Sequence, residues 1–352
     1  MYSLIDKLKK HRILSETELC FILDNISLKE IPYLYKASFV VKEKYYQNRV
    51  YLRGIIEISN YCKQGCFYCG INSQNQKIER YRLSQSEILA ACRIGYDLGY
   101  RTFVIQGGED TYYTDQLMVE IIKEIKVKCA DVAITLSLGE KSKESYQKLF
   151  DAGADRYLLR HEAASRRLYE TIHPKYMFYD TRRECLSNLK EIGYQVGAGF
   201  MVGLPTQTND DLVEDLLYVK SLEPHMVGIG PYLCHEDTPL RGSKSGTLQE
   251  TLVMVALTRL LLPKVLLPST TALGSLDPMG REMALEAGAN VLMPNISPTE
   301  NRILYEIYPD KICITDTSGQ CRNCIENRII ARGHVVDLSR GDHFDIEKKL
   351  KS

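Results

Sequence analysis

The chain has 352 residues, 44% of them hydrophobic, and its 45 Lys+Arg balance 45 Asp+Glu, so it carries no net charge. That length supports a large core, as one α/β barrel or two smaller domains, and the balanced charge argues against a nucleic-acid polyanion as partner. No stretch is long and apolar enough to span a membrane, and the amphipathic start MYSLIDKLKKHRIL lacks a signal-peptide core, so a cytoplasmic protein is expected.

Residues 1–48 read as an N-terminal helical segment, with Ser15-x-x-Glu18 forming a capping box before an apolar run. From Val50 onward, strand-like apolar runs alternate with helical stretches. The first strand is expected at 54–59. It is followed by the cysteine-bearing stretch Glu57-Ile-Ser-Asn-Tyr-Cys62-Lys-Gln-Gly-Cys66-Phe-Tyr-Cys69-Gly70 and by a helix at 84–98, which opens on the box Ser84-x-x-Glu87 and closes at Gly99. Further strands are expected at 102–106, 133–137, 156–160, 195–202, 226–231, 266–272 and 289–294, with helices at 208–222 and 249–262 among the segments between them. Near-continuous apolar strands alternating with helices imply a parallel sheet covered on both faces. Eight such units match a TIM-type (β/α)₈ barrel, expected over 49–305 and followed by a C-terminal extension over 306–352. The rival is an open doubly wound sheet. No G-x-G-x-x-G follows the first strand, which weakens its dinucleotide-binding form.

Of the 11 cysteines, six fall in two groups: Cys62, Cys66, Cys69 and Cys313, Cys321, Cys324. The other five (Cys20, Cys92, Cys129, Cys185, Cys234) read mostly as small buried hydrophobes. The first group has C-x₃-C-x₂-C spacing on a loop after a barrel strand, the end where barrel enzymes keep their active sites. Three thiolates on one short loop can ligate three irons of a cubane and leave the fourth open to a ligand. A structural zinc site normally has four protein ligands, and no fourth Cys or His stands at finger spacing.

With Tyr68 as its aromatic, this C-x₃-C-x-aromatic-C loop resembles the signature of the radical S-adenosylmethionine (SAM) superfamily. The resemblance implies a 4Fe–4S cluster that binds SAM at the open iron and, given one electron, cleaves it to methionine and a 5′-deoxyadenosyl radical. Gln106-Gly107-Gly108-Glu109 at the end of the second strand resembles the superfamily's GGE element, which contacts the methionyl amine; a plain β-to-α turn is the alternative reading. Glu162, after the fourth strand, is a candidate partner of the ribose hydroxyls, and Ser137 ends the third strand. Arg182, on a following helix, is a candidate clamp for the SAM carboxylate or a plain helix-surface residue. His161 reads as a barrel-wall histidine.

Within the superfamily the chain resembles the FeFe-hydrogenase maturases of the HydE type. The resemblance is carried by Asp155-Arg-Tyr-Leu-Leu-Arg-His-Glu162, Met201-Val-Gly-Leu-Pro205, Ser269-Thr-Thr-Ala-Leu-Gly274 and Met293-Pro-Asn295. Methylornithine synthase and biotin synthase are relatives. The resemblance implies an organometallic iron–cyanide–carbonyl–cysteine substrate, on the route to the diiron subcluster of the hydrogenase. It also implies an electron donor such as ferredoxin or flavodoxin, and a place beside the other hydrogenase maturases. Arg53, Arg160, Met226, Thr270, Thr271, Tyr305 and Tyr308 are the candidate substrate contacts; Thr270 and Thr271 read equally as β-branched packing. Some HydE proteins carry an auxiliary cluster at a C-x₇-C-x₂-C pattern like Cys313, Cys321, Cys324. A second cluster (2Fe–2S or 4Fe–4S), zinc and unligated thiols all stay open there. Two competing classes remain: a radical SAM mutase or sulfur-insertion enzyme of the methylornithine or biotin synthase type, and a cluster-carrying electron-transfer protein.

Overall fold

The computed structural model describes residues 1–351. Three helices, α1 (Tyr2–His11), α2 (Glu16–Asn25) and α3 (Ile31–Tyr46), lead into strand β1 (Arg49–Leu52). There follow β2 (Gly54–Ser59), α4 (Gln85–Asp97), β3 (Thr102–Gly107), α5 (Asp115–Lys128), β4 (Ala133–Ser137), α6 (Lys143–Asp151), β5 (Arg156–Leu158), α7 (Arg166–Ile172), α8 (Tyr179–Ile192), β6 (Gln195–Val202), α9 (Asn209–Leu222) and β7 (Met226–Pro231). The chain continues through α10 (Leu248–Leu261), α11 (Thr271–Leu276), α12 (Gly280–Glu286), β8 (Val291–Leu292), α13 (Thr299–Arg302), α14 (Ser318–Ala331), β9 (Val335–Asp337) and α15 (Phe344–Lys351). The predicted capping boxes at Ser15/Glu18 and Ser84/Glu87 both form, and each satisfies orphan amides at its helix start.

Strands β2 to β7 form one parallel sheet in sequence order. Two irregular segments continue it: Leu266 bonds back to His225 and Val227, and Ser269 donates to the carbonyl of Val291. Ile55 then donates to the carbonyl of Pro294 and accepts from Ile296, so β2 meets the segment after β8 and the barrel closes. The expected seventh strand over 266–272 is therefore two isolated bridges, at Leu266 and Pro268, and not a ladder. Pro268 has no N–H to give a ladder, and Thr270 already caps a helix that begins at Thr271. The fourth strand of the sheet, β5, also ends early, at Leu158 and not at the expected residue 160.

The C-terminal residues close the barrel's other end. Strand β9 pairs with β1 in a small sheet of order β8-β1-β9. Beyond it, Asp342 lies 2.5 Å from Arg156 Nη2 and accepts from Gln195 Nε2 at 2.7 Å, while Arg53 Nη2 donates to the Gly341 carbonyl at 2.9 Å. Arg53 stands just before β2 and Met226 opens β7 at this end, and the two touch, Nη1 to Sδ, at 3.2 Å. They are the floor of the barrel and do not line the cavity at its mouth, because in a parallel barrel a residue at the start of a strand lies opposite the active-site loops.

Helix α3 buries Lys42 completely against the C-terminal region, with Nζ 3.5 Å from His334 Nδ1, 4.2 Å above the Phe39 ring, and in no ion pair among the described residues. Burial, reinforced by Arg259 and only partly opposed by Glu43, pulls its pKa down to about 7. The folded state thus binds this proton less tightly than the unfolded chain, and stability rises with pH from about 7 toward the ordinary lysine range. Lys42→Met is expected to stabilise the protein by about 1–3 kcal/mol at pH 7 and by less at pH 9.5. Urea titrations at the two pH values check this.

Candidate active site

Residues at the C-terminal ends of the strands and in most of the loops that follow them line one cavity of about 360 Å³. Cys62, Cys66 and Cys69, carried on the loop after β2, all line it. The loop is anchored on both sides. Lys63 N–H donates to the Glu109 carbonyl, Phe67 N–H to that of Ile172, and Gly70 N–H to that of Ile307. Gly108 is required by the close approach of this loop, since a Cβ there would run into the Tyr61 carbonyl oxygen and lie 2.8 Å from Cys62 Cβ. The Glu109 amide lies 3.4 Å from Cys62 Sγ and points at the sulfur. Burial pushes the Cys62 thiol up, Cys66 to about 12 and Cys69 well above its ordinary value. The cluster-free chain therefore carries protons on all three, and metal binding releases them.

Among the described residues, no three His, Cys, Asp or Glu side chains converge closely enough to hold a single ion. A cubane spaces its thiolates more widely than one ion does, and three soft sulfur donors on one loop fit that cofactor.

The remaining candidates gather around this loop. Gly107, Gly108, Glu109, Ser137, Glu162, Arg182 and Tyr68 all line the cavity. Glu109 is held by both oxygens, from Gln64 Nε2 at 2.7 Å and from the Glu140 amide at 2.9 Å, and it lies against Gly139 in a left-handed turn (φ 73°) where any Cβ would clash. Arg182 Nε is 2.6 Å from Glu140 Oε1. Glu162 adopts φ 67°, a conformation costly for a non-glycine residue, and is fixed there by backbone bonds to Gly199 and Met201 of β6. Its carboxylate lies 3.2 Å from Arg160 Nη2. The Tyr68 hydroxyl meets His173 Nε2 at 3.2 Å, and that histidine donates from Nδ1 to the Tyr169 carbonyl at 2.9 Å while burial pulls its pKa down to about 3.

Arg160, Thr270, Thr271, Tyr305 and Tyr308 line the same cavity. Arg160 Nε and Thr270 Oγ1 are buried with no hydrogen-bond partner among the described residues, so both are free to bond a ligand in the cavity. Tyr305 OH accepts from Gln106 Nε2 at 3.2 Å, and Tyr308 hydrogen-bonds Thr271. His161, as expected, is a wall residue; it is fully enclosed and bonds Asp215 at 3.0 Å.

The sequence reading missed a buried network in the same wall. Glu57 is 2.5 Å from Lys311 Nζ and accepts from Asn295 Nδ2 at 2.7 Å, and all three residues line the cavity. A lone carboxylate inside the apolar strand β2 was the available signal. The second cysteine group is divided. Cys313 (φ 62°) and Cys321 hydrogen-bond each other at the cavity edge beside Arg281, whereas Cys324 is exposed one turn further along α14.

A family model described as the Radical SAM superfamily matches residues 56–219. The [FeFe] hydrogenase maturase subunit HydE of Thermotoga maritima is 48% identical over 296 residues, covering 84% of each chain. The 3-methylornithine synthase of Methanosarcina acetivorans is 32% identical over 295 residues, covering 82% of this chain and 81% of that protein. The crystal structure of methylornithine synthase (PylB) superimposes with a TM-score of 0.82 at 25% identity, over 95% of this chain and 97% of that one.

Proposed function

The chain belongs to the radical SAM superfamily and is an enzyme that uses a 4Fe–4S cluster and SAM; from that premise we propose that it acts in maturation of an FeFe hydrogenase, on a small iron–cyanide–carbonyl–cysteine substrate. The 48% identity to a HydE maturase along most of both chains carries this reading. Cys62, Cys66 and Cys69 would hold the cluster. Bound beside it, SAM supplies a 5′-deoxyadenosyl radical when one electron reaches the cluster.

The rest falls to the chain's own residues. Gly107 and Gly108 let ligand and loop approach the backbone closely. Glu109, Ser137 and Arg182 offer a carboxylate, a hydroxyl and a guanidinium to the amino-acid end and the sugar of SAM, and the strained Glu162 faces the same space. Arg160 Nε and Thr270 Oγ1 give an anionic substrate its first hydrogen bonds, and Tyr305 with Tyr308 covers it. Leu158, Leu159, Met201, Leu233 and Ile307 supply apolar wall that keeps water from a radical. The Glu57–Lys311 pair is already neutral and adds shape more than charge.

A second reading, a carbon-skeleton mutase, draws on the PylB superposition. Anaerobic incubation with SAM and dithionite should release 5′-deoxyadenosine, and adding the iron–cysteine complex should change the course of the reaction. Release of 3-methylornithine would favour the mutase instead. Arg160→Leu is expected to weaken capture of the iron complex about 10- to 100-fold, through loss of a charged hydrogen bond, while SAM cleavage without substrate stays within about threefold. Equal substrate affinity in the variant would remove Arg160 from the reading.

A further inference from the structure

The cysteine loop has an outer side as well as an inner one. Gly65, between Cys62 and Cys66, is buried because segment 174–178 lies across it. A Cβ on Gly65 would sit 2.6 Å from the Tyr176 hydroxyl oxygen and 3.5 Å from Pro174 Cγ. Next along, Met177 Sδ is 3.7 Å from Cys66 Sγ. The same segment turns large aromatics to solvent: Tyr176 is 53% exposed and Phe178 66%. Tyr61, at the start of the cysteine loop, is exposed too, and the Arg82 guanidinium lies over its ring at 3.8 Å. Aromatic and Arg side chains gathered in this way mark protein interfaces more than ordinary surface.

The charge of this patch is one-sided. Segments 61–66 and 174–178 contain Lys63 and Lys175 and no Asp or Glu. Both lysines are exposed, and Lys175 forms no ion pair among the described residues. The carboxylates behind Lys63 and Arg82, those of Glu109 and Asp110, are buried at 8% and 2% exposure, so solvent meets the cationic ends.

We propose that this patch is the docking surface for the electron donor, a small acidic one-electron carrier protein; the proposal rests on the radical SAM reading above. In the docked pair the carrier is oxidised by one electron and the cluster is reduced by one. No bond forms or breaks, and no proton moves. Tyr176 and Met177 give the electron a packed route from the surface to Cys66. Opposite charge steers the carrier onto the patch, so association weakens as salt rises.

The test uses the reconstituted holoenzyme and, as probe, an acidic ferredoxin with two 4Fe–4S clusters. Three quantities are read: the ferredoxin dissociation constant by calorimetry, ferredoxin-driven release of 5′-deoxyadenosine, and dithionite-driven release. In the double variant Lys175→Glu, Phe178→Ser, affinity and subsaturating ferredoxin-driven rate are expected to fall about 10-fold, with a shallower salt dependence. Dithionite-driven release should stay within about twofold, since a small reductant needs no docking surface. Unchanged affinity and unchanged ferredoxin-driven rate would overturn the proposal. A wild-type holoenzyme that releases nothing even with dithionite would overturn the radical SAM reading, and the docking surface with it. Should the double variant fold poorly, Lys175→Glu alone alters one exposed loop side chain; about a threefold loss of affinity supports the surface, and none overturns it.

Discussion

Replacing Cys66 with Ala, or Cys62 or Cys69, is expected to lower SAM cleavage by at least about 10³-fold, to the limit of detection. All three thiols face the same cavity from one anchored loop. Two thiolates cannot retain a cubane against exchange in the way three can. The fold should survive the change. The loop is pinned by backbone bonds, so losing one sulfur costs about 1 kcal/mol of packing. Iron content, the visible absorption of the cluster and 5′-deoxyadenosine yield, measured together in a folded variant, check the expectation. Full cleavage activity in any one of the three would show that its sulfur is not a ligand.

Asp342→Ala is expected to destabilise the protein by about 3–5 kcal/mol, the usual consequence of stripping a buried pair of one partner. Asp342 and Arg156 are each 4% exposed, and Arg53 lies fully buried beside them. Without the carboxylate, two guanidinium groups face each other in the floor of the barrel. The cationic partners Arg156 and Arg340, with the hydrogen bond from Gln195, hold the Asp342 carboxyl well below the usual range despite its burial. Its stabilising contribution is therefore complete above the unfolded aspartate value near 4, declines below it, and is lost only as pH falls through the lower folded value. Chemical denaturation at pH 7 and pH 3 should show a wide gap between wild type and variant at the first and a narrowed one at the second. A gap under about 1 kcal/mol at pH 7 would mean that the floor relaxes to admit water.

Much of this molecule can be read in its sequence where the signal is local. Strands β2, β4, β6 and β7 begin and end as their apolar runs predict, and the capping boxes at Ser15 and Ser84 form because each needs only four consecutive residues. The cysteine loop lies at a strand's C-terminal end, so its place at the mouth of the cavity follows from topology alone. Long-range partners were not legible. Glu57 and Lys311 are 254 positions apart, and no spacing rule pairs them. Residues 306–351 read as an appendage, yet Lys311 and Cys313 wall the cavity while Gly341 and Asp342 close the opposite end. Arg53 stands just before β2 and Met226 opens β7, and that position puts both at the floor and away from substrate. The run 266–272 is apolar enough for a strand, but Pro268 and the helix-starting Thr270 divide it.

The sealed floor has a consequence for traffic. With Arg53, Arg156, Gly341 and Asp342 interlocked beneath the strands, reactants and spent fragments share the end where the cysteine loop lies. A vessel filled through its neck is loaded from the bottom upward. In a cavity with one mouth, whatever lies deepest enters first and leaves last.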